Sequence, residues 1–178
     1  FTFLKIKHNY NIGKSLYDKD SEEEVKKILK KAEENNVNIV LPVDFLTAKE
    51  VSNDTEFNYR TINDSISDDY MGLDVGMKTT IMFEKIIYKS KKILWNGPMG
   101  VFELDNFSKG SKMISLSVQS FAETNIESNV VIGGGDTVSC IKKFTHNSIN
   151  MFFSTGGGST LKYLEGTKLP GIENLSNQ

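Results

Sequence analysis

The fold is decided by the stretch Val130-Val131-Ile132-Gly133-Gly134-Gly135-Asp136-Thr137. Its first three residues are apolar and β-branched, which predicts a short strand buried on both faces. The glycines that follow allow a sharp turn into a helix and let a ligand come close to the backbone N–H groups. Two interpretations remain open at this point: an anion site at the helix start, and a plain strand-to-helix turn with Asp136 as the N-cap.

The composition is that of one globular domain. The chain has 178 residues, of which 38% are hydrophobic and 25% charged, and this is enough to bury a substantial core. The net charge of −2 provides no basic surface for nucleic acid or an anionic membrane, and no apolar run approaches the length of a membrane span. With one cysteine and two distant histidines, an intrachain disulfide is impossible and a Cys/His zinc site is disfavoured.

Short apolar strands alternate with helical segments, which implies a parallel sheet with right-handed crossovers. The predicted strands are residues 37–41, 93–95, 130–132 and 151–153. Each is followed by residues typical of turns or ligand sites: Pro42-Val43-Asp44, Asn96-Gly97-Pro98, Gly133 to Asp136, and Ser154 to Gly158. Ligands bind at the carboxyl ends of such strands, so the two triple-glycine turns together favour an anion or nucleotide site.

The helical segments carry their own signals. Ser21 and Glu24 predict a capping box before an apolar stripe formed by Val25, Ile28, Leu29 and Ala32. Further helices are expected after Gly72–Gly76 and after Asp105, which we expect to be an N-cap. Phe1 to Lys7 is ambiguous, because it alternates like a strand but Asn9 and Gly13 follow it as they would follow a helix. Residues 52–69 predict a loop with one short strand.

The segment Trp95-Asn96-Gly97-Pro98-Met99-Gly100-Val101-Phe102-Glu103 resembles the C-terminal, nucleotide-binding lobe of the phosphoglycerate kinase family. The resemblance extends from Phe1 essentially to Leu175 and includes further motifs in the family's order: Leu41 to Phe45, Met71 to Asp74, Ile132 to Thr137, Ser154 to Gly158, and Leu169 to Ile172. It implies a Rossmann-like three-layer α/β/α sandwich with a mainly parallel sheet, formed by residues 1–178 as a single domain. It also implies that Phe1 to Asn9 is a helix.

The same resemblance implies a function: reversible phosphoryl transfer between 1,3-bisphosphoglycerate and Mg-ADP, giving 3-phosphoglycerate and Mg-ATP in glycolysis. Leu16, Gly72 and Leu73 would line the adenine pocket, near Val51. Asn96, Pro98 and Glu103 would contact the nucleotide, with Glu103 accepting hydrogen bonds from the ribose hydroxyls. The remaining roles would fall to the glycine turns: phosphate binding to Gly134, Gly135, Asp136 and Thr137, Mg²⁺ coordination to Asp136, and contact with the transferred phosphoryl group to Gly156 and Gly157.

The sequence also departs from the family pattern. It has no counterpart of the N-terminal lobe that binds 3-phosphoglycerate or 1,3-bisphosphoglycerate, nor of the family's glycine-alanine-lysine stretch at the phosphates. We therefore expect the chain to be part of a longer, cytoplasmic, monomeric enzyme and to be inactive by itself, although able to bind an adenine nucleotide. Nucleic acid and membranes are not expected as partners. The alternatives are a non-catalytic nucleotide-binding or interaction module, and a folded scaffold without a site.

Overall fold

The computed structural model describes residues 1–125, 129–146 and 150–173. The chain divides into two compact units. Unit 1 comprises Phe1–Met82 and Gly100–Gly110, and unit 2 comprises Phe83–Met99 and Ser111–Gln178. No helix among the described residues is long and apolar enough to cross a membrane. The prediction of one domain over residues 1–178 concerns the fold of the whole chain and stays a prediction.

Unit 1 begins with two helices, α1 (Thr2–His8) and α2 (Glu22–Glu34). The helical alternative for the first residues is confirmed, and Asn9 ends α1 in the left-handed conformation with φ 49°. The capping box predicted for α2 is wrong: Ser21 occupies the N-cap position, but its hydroxyl donates to Asp18 Oδ2 at 2.5 Å. The Ser21 hydroxyl is turned toward the Asp18 carboxylate, which is a strong acceptor, and its oxygen accepts no hydrogen bond from the first turn of α2.

The strand predicted for residues 37–41 is also wrong. Asn36 has a positive φ of 54°, and the Val37 N–H donates to Ala32 O at 2.8 Å, which closes the C-terminus of α2. Val37, the first residue of the apolar run, therefore uses its N–H to cap α2. Pro42, the residue after the run, has no N–H that could donate a hydrogen bond to a neighbouring strand. Strand β1 (Asp44–Ala48) begins only after Pro42. Pro42 and Val43, which were expected to follow the end of a strand, instead precede the start of one.

The sheet of unit 1 is antiparallel, with the strand order β2-β1-β3. Strand β2 (Phe57–Thr61) is the short strand expected between residues 52 and 69, whereas β3 (Met71–Val75) was not predicted. Helix α3 (Met77–Lys89) follows β3 and continues from unit 1 into unit 2. Two buried clusters form the core of unit 1: Leu4, Tyr10, Ile12, Phe45 and Ile66, and Ala48, Leu73 and Phe107.

Unit 2 contains the parallel sheet that the sequence predicts. Its described strands are β4 (Lys92–Asn96), β5 (Asn129–Gly133) and β6 (Met151–Ser154), in the order β4-β5-β6. Both pairings are parallel, and β5 is central. Val130 and Ile132 are buried on one face of the strand, whereas Val131 on the other face is only partly buried, so the predicted burial on both faces is complete on one face only. The α/β fold class is therefore confirmed, and the antiparallel sheet of unit 1 is an addition to it.

The helices of unit 2 follow these strands. Helix α4 (Lys109–Thr124) begins four residues after Asp105, which instead starts a 3₁₀ turn (Asp105–Phe107), so Asp105 is not its N-cap. Within unit 2, α4 buries Ile114, Val118 and Phe121. Helix α5 (Gly135–Phe144) follows β5, α6 (Gly157–Leu164) follows β6, and α7 (Pro170–Glu173) is the last described element. Cys140 of α5 is buried, as expected of a small apolar residue.

Candidate nucleotide site

The carboxyl ends of the three strands of unit 2 lie level with one another. Asn96, the last residue of β4, pairs with Gly133 at the end of β5, and Gly133 pairs with Ser154 at the end of β6. The residues that follow each strand therefore emerge at the same edge of the sheet. This is the edge at which open parallel sheets bind their ligands.

The turn between β5 and α5 requires glycine. Gly134 has φ 89°, and a Cβ at this position would lie 2.9 Å from Asn96 Oδ1. Its N–H donates to Ser154 O at 2.9 Å, which joins this turn to the end of β6. Helix α5 then begins at Gly135, and within the described residues the backbone N–H groups of residues 135–137 donate to no protein acceptor. Three vacant N–H donors at a helix N-terminus, where the helix dipole is positive, favour the binding of an anion.

The turn between β6 and α6 packs directly on the first one. A Cβ on Gly157 would lie 2.9 Å from Gly134 Cα and 3.3 Å from Gly134 N. The Gly157 N–H donates to Thr155 O at 3.0 Å, whereas the N–H groups of Gly158 and Ser159 have no protein acceptor in the part of the chain that is described. Two helix starts with vacant donors thus begin at adjoining glycine turns, which concentrates positive potential there.

Thr137 has a second function besides its backbone N–H. Its buried hydroxyl accepts a hydrogen bond from the Gly97 N–H at 2.7 Å, and the Trp95 Nε1–H donates to Gly97 O at 2.6 Å. The Asn96-Gly97-Pro98 turn is therefore held from both sides of Gly97. Trp95 itself is buried.

Asp136 is exposed in the first turn of α5, and no described residue forms a hydrogen bond or ion pair with its side chain. Among the described residues no three His, Cys, Asp or Glu side chains form a group that could hold a metal. A complete protein cage is not needed for Mg²⁺, which is commonly held by one or two carboxylates together with substrate phosphates. A single exposed carboxylate beside vacant N–H groups fits that donor set.

Four of the predicted nucleotide residues lie in unit 1. Leu16 is 90% exposed and follows Ser15, whose buried hydroxyl accepts the Gly72 N–H at 2.9 Å. A Cβ on Gly72 would overlap with the ring of Phe1, so a larger residue there would require the Phe1 side chain to move. Leu73 is buried in β3, and its carbonyl accepts the Val101 N–H at 2.9 Å, two residues before the exposed Glu103.

Comparisons with known proteins agree on one family. A sequence model described as "Phosphoglycerate kinase" matches residues 1–167. The chain belongs to the phosphoglycerate kinase family. It is 43% identical to the phosphoglycerate kinase of Schizosaccharomyces pombe over 100% of its own length, and 44% identical to that of Schistosoma mansoni over 99%. In both cases the chain spans only 42% of the relative.

Solved phosphoglycerate kinase structures are similar as well. The phosphoglycerate kinase from Coxiella burnetii superposes with a TM-score of 0.84 at 35% identity, covering 97% of this chain and 43% of that one. The enzyme from Pyrococcus horikoshii superposes with a TM-score of 0.73 at 24% identity, covering 96% and 42%, and at that identity it supports the fold alone.

The site residues named on the phosphoglycerate kinase resemblance are thus found in two groups. Unit 2 brings together Asn96, Gly134, Thr137 and Gly157 by direct contacts, and places Pro98, Gly135, Asp136 and Gly156 in the same turns. Unit 1 holds Leu16, Gly72, Leu73 and Glu103. Nothing in the geometry tests their individual roles, which stay predictions.

Two buried carboxyl groups of unit 1 were not predicted to matter. Asp44 accepts from the Tyr59 hydroxyl at 2.6 Å and from the Lys78 and Thr79 N–H groups at 2.9 and 2.7 Å, so it caps α3. Burial raises the pKa of Asp44, but the hydrogen bonds from Thr79 and Tyr59 outweigh it and the net pKa is lowered. The hydrogen bond to Asp44 raises the pKa of Tyr59 to about 12. Burial raises the pKa of the second carboxyl, Asp74, to about 7.

Gly97 is the other residue that sequence reasoning missed. The Asn-Gly-Pro tripeptide was identified as a turn, but its partner lies 40 residues further along the chain at Thr137. A hydroxyl on the third residue of a glycine-aspartate-threonine helix start could have suggested a side-chain contact to a neighbouring strand end. The sequence provides no signal for which strand would supply it.

Proposed function

We propose that the chain supplies the nucleotide-binding part of an enzyme that transfers a phosphoryl group reversibly between 1,3-bisphosphoglycerate and Mg-ADP, giving 3-phosphoglycerate and ATP. The observation that carries this proposal is the contact between the Gly134 and Gly157 turns, at which two helices begin with vacant N–H donors. Membership of the phosphoglycerate kinase family supports this reaction. Because the chain spans only 42% of the length of its relative from Schizosaccharomyces pombe, we propose that it supplies one part of the enzyme and not the whole activity.

The two helix starts suit the chemistry. Phosphoryl transfer requires alignment of the reacting groups and compensation of charge on the equatorial oxygens, and it needs little covalent help. We assign the nucleotide phosphates to the start of α5, at Gly134, Gly135, Asp136 and Thr137, and the transferred group to Gly156 and Gly157 at the start of α6. No general base is required, because the acceptor carboxylate or phosphate is already an anion.

Asp136 is the proposed ligand of Mg²⁺, which when bound would neutralise part of the phosphate charge. The nucleoside would be bound by Leu16, Gly72 and Leu73 at the adenine and by Glu103 at the ribose hydroxyls, with Asn96 and Pro98 as further contacts. The exposure of Leu16 is consistent with contact to a flat base.

We further propose that the chain by itself binds Mg-ADP but does not turn over, and that the protein works as a monomer in the cytoplasm without nucleic-acid or membrane partners. In the family, 3-phosphoglycerate and 1,3-bisphosphoglycerate are bound by the N-terminal lobe, and the lysines at the phosphates belong to a stretch with no counterpart in this sequence. Calorimetric titration with Mg-ADP, together with an assay for ATP formation from both substrates, tests these two statements separately.

The decisive variant is Asp136→Ala, with Asp69→Ala, an exposed acid of unit 1, as the charge-matched control. Loss of the metal ligand is expected to weaken Mg-ADP binding by roughly tenfold or more, whereas the control keeps wild-type affinity. Equal affinities of Asp136→Ala and wild type would remove Asp136 from the metal site. No heat and no thermal stabilisation with wild type would leave only a folded scaffold, and steady ATP formation would refute the predicted inactivity.

A further inference from the structure

Asp74 lies between two of the predicted nucleotide residues of unit 1, Leu73 in β3 and Glu103 in the segment Gly100–Gly110. It follows Leu73 directly in β3, and its side chain is only 3% exposed. Its Oδ2 accepts the Gly110 N–H at 2.8 Å, in the first turn of α4, and its Oδ1 accepts the Val75 N–H at 2.9 Å. The carboxylate therefore fastens the first turn of α4 to the end of β3.

The segment Gly100–Gly110 is attached to β3 at both ends. At its beginning, the Val101 N–H donates to Leu73 O at 2.9 Å, and a Cβ on Gly100 would overlap with Asp74 Oδ1. At its end, a Cβ on Gly110 would overlap with the same oxygen. Both ends thus rest on the Leu73–Asp74 pair. Glu103 lies between these ends and is exposed. The segment is also held nearer its end, where the Asn106 side-chain N–H donates to Asn53 O at 2.8 Å and Phe107 is buried with Ala48 and Leu73.

We propose that Asp74 is a positioning residue for nucleotide binding, whose carboxylate holds the Gly100–Gly110 segment, and with it Glu103, in place beside Leu73. This inference rests on the proposed function, in which Leu73 contacts the adenine and Glu103 accepts from the ribose hydroxyls. Asp74 is buried beneath the segment and acts through Glu103. An asparagine of the same shape cannot replace it, because its amide presents an N–H to one of the two backbone N–H donors.

The charge of this carboxyl changes in the neutral pH range. Burial raises the pKa of Asp74 to about 7, and the hydrogen bonds from Gly110 and Val75 oppose this rise. The groups around the carboxyl are Gly100, Gly110 and Val75, none of which titrates, and no charged side chain of the described residues contributes to the shift. Because this pKa lies above the ordinary 3.8, the folded surroundings hold the protonated carboxyl more favourably than the charged one, so the attachment is strongest at low pH and weakens as the pH rises toward about 7.

The test compares ADP with 2′,3′-dideoxy-ADP, both with Mg²⁺, by calorimetric titration of the full chain. The analogue lacks the hydroxyls that Glu103 would accept from, so the ratio of the two dissociation constants isolates ribose recognition and cancels titration of the diphosphate. We expect wild type to prefer ADP roughly tenfold and Asp74→Asn to lose most of that preference, with little change in affinity for the analogue. The control is Asp44→Asn, which alters the other fully buried carboxyl of unit 1 and should keep the preference.

The outcomes separate the two proposals. If wild type binds neither nucleotide, the proposed function fails. If wild type prefers ADP and Asp74→Asn prefers it equally, the positioning role of Asp74 is wrong and the proposed function stands. If wild type binds ADP and the dideoxy analogue with equal affinity, Glu103 does not recognise the ribose hydroxyls, and the inference about Asp74 is wrong as well. Should Asp74→Asn not fold, wild type is measured one pH unit below and one above the pKa of Asp74. A smaller preference at the higher pH supports the inference, and an equal or larger preference at the higher pH overturns it.

Discussion

Gly157 packs against Gly134 so closely that a Cβ on Gly157 would lie 2.9 Å from the Gly134 Cα. Gly157→Ala must therefore move one of the two turns, because the neighbouring atom is backbone and cannot rotate away. We expect this variant to weaken Mg-ADP binding by roughly tenfold, as the two helix starts separate. Gly158→Ala is the matched control, since a Cβ there meets nothing within 4 Å, and calorimetry measures both. Equal weakening by the two variants would contradict the importance of the contact.

Gly134 itself is constrained by its backbone as well as by its neighbours. With φ 89°, it occupies a region that an L-residue enters only at a cost of about 1–3 kcal/mol. Gly134→Ala is expected to lower the free energy of unfolding by about that amount, measured by denaturant titration. Gly135→Ala is the comparison, because its Cβ would meet no atom within 4 Å and its φ is not positive. A larger loss for Gly135→Ala would show that the strain lies elsewhere.

The Thr137 hydroxyl can be tested through Trp95, the single tryptophan of the chain. Thr137→Val keeps the shape of the side chain but leaves the Gly97 N–H without its acceptor, which loosens the turn that Trp95 binds at Gly97 O. We expect a loss of about 1–3 kcal/mol in the free energy of unfolding and a shift of the tryptophan emission maximum. Thr137→Ser retains the hydroxyl and should keep the wild-type emission. An unchanged spectrum in Thr137→Val would refute the arrangement.

The Tyr59–Asp44 hydrogen bond predicts a specific alkaline dependence. Since the pKa of Tyr59 is raised from its ordinary 10.0 to about 12, the folded protein holds a proton between these values that the unfolded protein releases. The stability from this bond is therefore complete below pH 10.0 and is lost as the pH rises toward about 12. In denaturant titrations, wild type should exceed Tyr59→Phe in stability at neutral pH, and the difference should shrink across this window. A constant difference would show that the phenol does not titrate against Asp44.

Much of unit 2 could be predicted because its signals are local. The β-branched run of β5 and the glycines after it specify a buried strand and a sharp turn within a few residues, and the same holds for β6 and α6. The resemblance of nine consecutive residues from Trp95 to Glu103, together with motifs in matching order, predicted the family that the comparisons confirm. The roles of the individual site residues remain predictions.

The wrong predictions concern residues whose local pattern indicated one structure but whose hydrogen-bonding groups bind another partner in the folded chain. Ser21 had a capping motif but also a nearby carboxylate at Asp18, and the charged acceptor prevailed. Val37 had the right neighbours for a strand but was needed to close α2. Residues 72–76 were interpreted only as the approach to a helix, whereas their pairing with β1 provides the hydrogen bonds that make β3 a strand.

The sequence by itself determined the α/β class, the parallel strands with their glycine turns, and the family, because these depend on residues close together in the chain. Only the tertiary structure decided that Gly134 and Gly157 touch, that Thr137 holds Gly97, and that Asp44 and Asp74 are buried at helix starts. Each of these contacts joins residues separated by more than 20 positions. Their partners are chosen by strand order and register, which no single stretch of sequence encodes.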